Sequence, residues 1–133
     1  MKEKIKILML SIVLFATSCD FKSEIAIVKN NTNSLIVGKL WDTTNMTDGD
    51  FKDEIYLEYY IPPGSHNVIV IPGTRLNTAP DSLKMNLYIF NNDTLDKYIE
   101  LKKYDGIMKK SLLKKIEIQI NKVKPPLDTI YIN

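Results

Sequence analysis

The chain reads as a mainly β protein, an antiparallel β-sandwich of six or seven strands with one short helix near residues 94–104. Three observations predict this. Apolar residues recur at period two in short runs. Asn, Asp, Gly and Pro punctuate those runs, and the period lengthens to three clearly only after Asp93. With 133 residues, 44% hydrophobic and 26% charged, the chain has the composition of one ordinary folded domain. That excludes a two-domain enzyme, a disordered tail and a collagen-like repeat.

Residues 1–18 stand apart as a targeting segment. Lys2, Lys4 and Lys6 make a positive start, and Ile7 to Ala16 is an apolar run of ten. A bilayer span needs about 20 such residues, so the run suits a signal peptide and not a membrane helix. Residues 19–23 then form a short tether, and residues 24–133 the domain. The formal charge of +2 resides in the first six residues, and the remainder is balanced at 15 basic and 15 acidic side chains. The pI near 8.5 is therefore no argument for nucleic acid, which is not expected as a partner.

The elements follow in order. Ile25 and Ile27 alternate in a first strand, which ends in the polar turn Lys29 to Asn33. Leu35 to Trp41 is a second strand, and Asp42 to Asp53 a long polar loop. Ile55, Leu57 and Tyr59 alternate with Tyr56, Glu58 and Tyr60 until Pro62-Pro63-Gly64-Ser65 stops the strand. Asn67 to Pro72 is a fourth strand, and Leu83, Met85, Leu87 and Ile89 mark a fifth. Leu95, Tyr98, Leu101 and Tyr104 then fall on one helical face, with Thr94 as the N-cap and Gly106 at the end. Ile107 to Leu113 fits either a strand or a second helical turn. Ile116, Ile118 and Ile120 alternate in a sixth strand, and Leu127 to Ile132 is a last one beyond Pro125-Pro126. The outcome is an immunoglobulin-like or transthyretin-like sandwich with one helix packed across an end, its first and last strands at exposed edges.

Cys19 is the one cysteine, and it closes the apolar run behind Ala16-Thr17-Ser18. Those residues resemble the lipobox of bacterial lipoproteins, in which the cysteine is acylated and becomes the mature N-terminus. The alternative is an ordinary secretory signal ending at a chance cysteine. Two other segments, Tyr59-Tyr60-Ile61-Pro62-Pro63-Gly64-Ser65 and Ile89-Phe90-Asn91-Asn92-Asp93-Thr94-Leu95-Asp96-Lys97-Tyr98, extend the likeness. The layout is similar to that of small uncharacterised Bacteroidota lipoproteins with a β-sandwich domain. The resemblance implies a fold and a compartment: the cell envelope, anchored in the outer membrane through lipid on Cys19, on either its surface or its periplasmic face. It implies no activity. No cysteine remains for a disulfide, so the core alone must hold the domain.

Candidate chemistry is sparse. Ser65 and His66 are adjacent, and adjacent residues entering a strand point to opposite faces, which is poor geometry for a nucleophile and its base. A zinc site needs three or four ligands, and the chain offers one His and no free Cys. Asp42, Asp48, Asp50, Asp53 and Glu54 cluster near Gly49, but their spacing is not that of an EF-hand, and a solvated acidic loop is the simpler account. Neither a metal, another cofactor nor a catalytic residue is therefore expected.

Charge is uneven along the chain. Residues 97–124 carry nine lysines against Glu100, Asp105 and Glu117, whereas residues 42–58 carry six acids and Lys52. A basic face suits an anionic glycan or an acidic partner, although solvated lysines guarding strand and helix surfaces give the same pattern. Tyr56, Glu58 and Tyr60 share an outward strand face and form a second candidate ligand face, and Trp41 and Tyr59 are further candidates for stacking on sugars. Four Asp-Ser/Thr tripeptides place Thr43, Ser82, Thr94 and Thr129 in a context resembling the O-glycosylation acceptor of exported Bacteroidota proteins. The same tripeptides are also good turn and cap chemistry. The reading is a lipid-anchored, non-catalytic binding module for an envelope protein or glycan, with a periplasmic inhibitor or immunity-type protein as the alternative.

Overall fold

The computed structural model describes residues 22–41, 44–52, 57–72, 82–121 and 128–133. Among the described residues there are seven strands: β1 (Lys22–Asn30), β2 (Ile36–Trp41), β3 (Leu57–Ile61), β4 (His66–Pro72), β5 (Ser82–Asn91), β6 (Leu112–Asn121) and β7 (Asp128–Ile132). Two helices, α1 (Asn92–Glu100) and α2 (Ile107–Ser111), lie between β5 and β6, and a 3₁₀ helix spans Asp48–Lys52. The strands form two sheets, ordered β4-β1-β7 and β3-β2-β5-β6. The predicted sandwich is the observed one. Every pairing is antiparallel except β1 with β7, which run parallel.

The core lies between the sheets. Ile25, Ala26, Val28, Ile69, Ile71 and Ile132 from one sheet meet Ile36, Leu40, Tyr59, Ile61, Met85, Leu87, Ile89, Ile118 and Ile120 from the other. A side chain of this size stabilises the fold by roughly 1.5–3 kcal/mol when fully buried. Burial on this scale is what lets the domain dispense with disulfides.

The helices do not sit across an end of the sandwich. They cover the outer face of the four-stranded sheet, where Val37, Tyr88 and Phe90 pack with Met46, Phe51, Leu95 and Ile107 in a second core. Residues 85–90 of β5 are consequently buried on both faces. Tyr88 and Phe90, which a two-layer sandwich would expose, belong to this third layer. Phe51 meets Phe90 edge to face, with ring centroids 5.4 Å apart.

Three local expectations change. A bulge between Glu24 and Ala26 shifts the phase of β1, so Ile25, Ala26 and Val28 are buried and Ile27 is only half-buried. β1 is also the centre of its sheet, while β7 is an edge among the described residues. The N-cap of α1 is Asn91 and not Thr94, because the Asn91 side chain accepts from the Thr94 N–H at 3.0 Å. The helix ends at Glu100, which leaves Leu101 exposed, and Gly106 opens α2 instead of closing α1.

Asn30 holds one end of the sandwich together. Its buried amide donates to Ser34 O and Ile61 O, both at 2.8 Å, and its Oδ1 accepts from the Thr32 N–H and hydroxyl. Its backbone N–H donates to Ser65 O, and its carbonyl accepts from Gly64 N. The Pro62-Pro63-Gly64-Ser65 turn is thereby fastened to the end of β1. Gly64 sits at φ +71°, the left-handed position that the third residue of a type II turn requires.

Candidate functional site

The outward face of β3 is the ligand face that the sequence singles out. Tyr56 lies outside the described residues, but Glu58 and Tyr60 do share that face and touch each other. The Tyr60 hydroxyl donates to Glu58 Oε2 at 2.7 Å, and Lys39 of β2 donates to Glu58 Oε1. Both carboxylate oxygens are thus engaged inside the protein. Lys39 is 1% exposed, directly opposite Glu58 in the β2–β3 register, with its ammonium 5.7 Å from the centre of the Phe51 ring.

The electrostatics of this triad follow from unequal burial. Burial pulls the Lys39 ammonium below its usual pKa, against the opposing attraction of Glu58 and, more weakly, Asp96. Burial works to raise the Glu58 carboxyl, but the hydrogen bonds from Lys39 and Tyr60 outweigh it, so that pKa is lowered. Glu58 keeps 32% of its side chain in water, so burial opposes its ionised form less than it opposes that of Lys39. The bond to Glu58, aided by burial, pushes the Tyr60 hydroxyl up to about 12. A lysine of lowered pKa is the kind of group that serves as a base or nucleophile, but this one is sealed from solvent.

The wider aromatic platform does not assemble. Tyr59 points inward from β3, and its hydroxyl donates to Val70 O of β4, tying the two sheets together. Trp41 is half-buried against the second core, with its indole N–H on the Thr44 hydroxyl at 3.1 Å.

A different site is open. The C-terminal end of α1, the loop after it, α2 and the 3₁₀ helix border an open cleft of about 510 Å³, lined by Lys52, Tyr98, Lys102, Lys103, Tyr104, Asp105 and Lys110. Its volume falls within the roughly 300–1,000 Å³ usual for small-ligand sites. Among the described residues none of the four lysines is ion-paired. Two of them rest on aromatic faces instead. The Lys110 ammonium lies 4.8 Å from the centre of the Tyr98 ring, and the Lys52 ammonium 5.7 Å from that of Tyr104.

Local structure explains how the lysines converge. Lys102 N–H donates to Ile99 O and Lys103 N–H to Tyr98 O, both at 2.9 Å, the two bonds of a Schellman motif. This motif puts Lys102 at φ 51°, a left-handed position that glycine normally fills. A lysine there costs roughly 1–2 kcal/mol in steric strain. The other wall is fastened by Asp48, whose carboxylate accepts from Gly106 N at 2.7 Å and Met108 N at 2.8 Å. Asp48 therefore joins the helix that carries Lys52 to the loop that carries the other lysines.

The remaining predicted residues fall elsewhere. Cys19 and Thr43 lie outside the described residues, and Ser82 opens β5. Thr94 is half-buried in the first turn of α1, whereas Thr129 is exposed on β7. The Ser65 hydroxyl donates to Pro62 O at 2.8 Å, and His66 is exposed. In the acidic loop, Asp50 accepts from the Thr47 N–H and hydroxyl, so Asp48 and Asp50 are engaged in holding backbone. No group of three or more metal-binding side chains occurs among the described residues.

Of the described lysines in residues 97–124, Lys102, Lys103 and Lys110 line the cleft. Lys115 turns away to Asn45 Oδ1 at 2.6 Å, and Lys114 contacts Tyr131 O at 3.5 Å. Sequence reasoning missed Lys52 in the cleft and missed Lys39 altogether. A signal for Lys39 existed: it is the one charged residue in the otherwise apolar run Ile36 to Trp41. Comparison with family models, with curated proteins and with solved structures finds no match to this chain.

Proposed function

We propose that the protein is a lipid-anchored, extracytoplasmic binding module without catalytic activity, and that its cleft takes an anionic group on an envelope glycan or envelope protein. The observation that carries this is the meeting of four lysines without ion pairs, drawn from three segments, around two tyrosines. Cationic side chains not neutralised by a carboxylate raise the local concentration of anions and speed their encounter. The Glu58–Tyr60 face is the weaker candidate, since Lys39 and Tyr60 already occupy its carboxylate.

The compartment rests on the first 19 residues. Lipid on Cys19 supplies about 0.8 kcal/mol per buried methylene, and stable anchoring takes more than one chain. This suits an outer-membrane lipoprotein of the Bacteroidota kind. Among the described residues no helix is long and apolar enough to cross a membrane. Thr129, exposed on β7, is a more accessible O-glycosylation candidate than the half-buried Thr94.

Binding of the full chain to oligogalacturonate and to its neutral methyl ester tests the reading. The acid form should bind, weaken as ionic strength rises from about 0.01 to 0.15 M, and bind at least tenfold less tightly to the Lys103→Ala/Lys110→Ala variant. Equal binding of both forms would sink the proposal. For the anchor, Cys19→Ala should release an epitope-tagged chain from the membrane fraction, and persistence there would exclude acylation as the tether.

A further inference from the structure

Resting on that reading of the cleft, we infer that its ligand group is a phosphomonoester carried by a sugar or a lipid headgroup. The charge is the first reason. Lys52, Lys102, Lys103 and Lys110 face Asp105 alone among the lining residues, an excess of three positive charges in about 510 Å³. A carboxylate neutralises one of them, whereas a phosphomonoester carries close to two charges near neutral pH and three acceptor oxygens. The donor type is the second reason. Ammonium groups are compact point charges with three donors each, and several of them can surround a tetrahedral oxyanion from different sides. The planar fork that matches a carboxylate belongs to arginine, and none lines this cleft.

The third reason is preorganisation. Tyr98 and Tyr104 each carry a lysine ammonium over one ring face, Lys110 and Lys52 respectively, so the rings position cations at the cleft. Long lysine side chains lose rotamer freedom on binding, and holding two of them in advance reduces that cost. Lys102 adds an independent sign. It occupies a left-handed position that glycine would fill without strain, and the strain brings two consecutive lysines to the cleft wall. Strain of this kind collects at binding sites, where the surrounding structure holds it in place.

The test uses the full chain and four probes at matched ionic strength: glucose 6-phosphate, glucuronate, and vesicles containing either phosphatidic acid or phosphatidylglycerol. Glucose 6-phosphate should bind at least tenfold more tightly than glucuronate, and phosphatidic acid vesicles more tightly than phosphatidylglycerol ones. Tighter binding of phosphatidic acid vesicles than of the sugar phosphate identifies a lipid headgroup as the source, and the reverse order a soluble or glycan-borne sugar. In either case Lys103→Ala/Lys110→Ala should weaken binding at least tenfold. Lys102→Gly should weaken it while raising the melting temperature, a combination that a purely structural lysine would not give. Glucuronate binding as tightly as glucose 6-phosphate overturns the inference and leaves the anion-binding reading intact. Failure of every anion, oligogalacturonate included, overturns both.

Discussion

Lys39 and the four cleft lysines are chemically the same residue in opposite circumstances. Lys39 is buried, bonded to Glu58 and covered by Phe51, whereas Lys52, Lys102, Lys103 and Lys110 are exposed and have no carboxylate partner among the described residues. The first arrangement commits a charge to the fold. Taking an ammonium out of water costs several kcal/mol, and only a well-placed partner offsets it. The second leaves charge available to a ligand with almost no desolvation cost, because exposed lysines keep their hydration. The difference between the regions is therefore one between charge that holds the sheet and charge that awaits an anion.

The largest expected effect comes from breaking the buried pair. Glu58→Gln leaves Lys39 charged and poorly compensated, and should destabilise the fold by about 2–4 kcal/mol in denaturant melts. The double variant Lys39→Met/Glu58→Gln should recover most of that loss. The pH dependence has a definite sign. The native Glu58 pKa is lowered, so its contribution is present above the ordinary carboxylate value of 4.5 and is lost as pH falls through the lower native value. The double variant should show a flatter stability profile across that acid range.

Next in size is Asp48→Ala, which leaves the N–H groups of Gly106 and Met108 without their acceptor. A loss of about 2 kcal/mol is expected, with weaker anion binding because the wall carrying Lys52 is released. Lys102→Gly should go the other way, with a gain of up to about 1 kcal/mol from relief of the left-handed strain. Thermal melts measure both. If Lys102→Gly lowers the melting temperature, the strain assigned to that corner is wrong.

The smallest effect concerns Tyr60. Its pKa is pushed up to about 12, so the stability it contributes is complete below the unfolded value near 10. That contribution is lost as pH rises from about 10 to 12. Tyr60→Phe should lower stability slightly at neutral pH, where the bond to Glu58 is intact, and should abolish the further loss between about pH 10 and 12.

Much of the fold was legible because alternation and turn chemistry are local. The strand positions, the Pro62 to Ser65 corner and the sandwich itself follow from them. What escaped depended on distant partners. The bulge at the start of β1 reversed the expected facing of Ile27, and only the β4 register reveals it. The third layer was hidden because Tyr88 and Phe90 read as the exposed side of β5 until α1, α2 and Phe51 cover them. The candidate site was legible in part. The lysine excess of residues 97–124 pointed to the right third of the chain, but Lys52 reaches the cleft from the most acidic segment. It does so through the Asp48 contacts, which span 58 and 60 residues of sequence.

The most direct test follows amide and lysine-ammonium NMR shifts of the full chain during titration with oligogalacturonate. Shifts concentrated at Lys52, Lys102, Lys103, Tyr104 and Lys110, with Lys39 unmoved, are the predicted result. Shifts centred on Glu58 and Tyr60, or spread evenly over all exposed lysines, would contradict the division between charge that holds the fold and charge that binds.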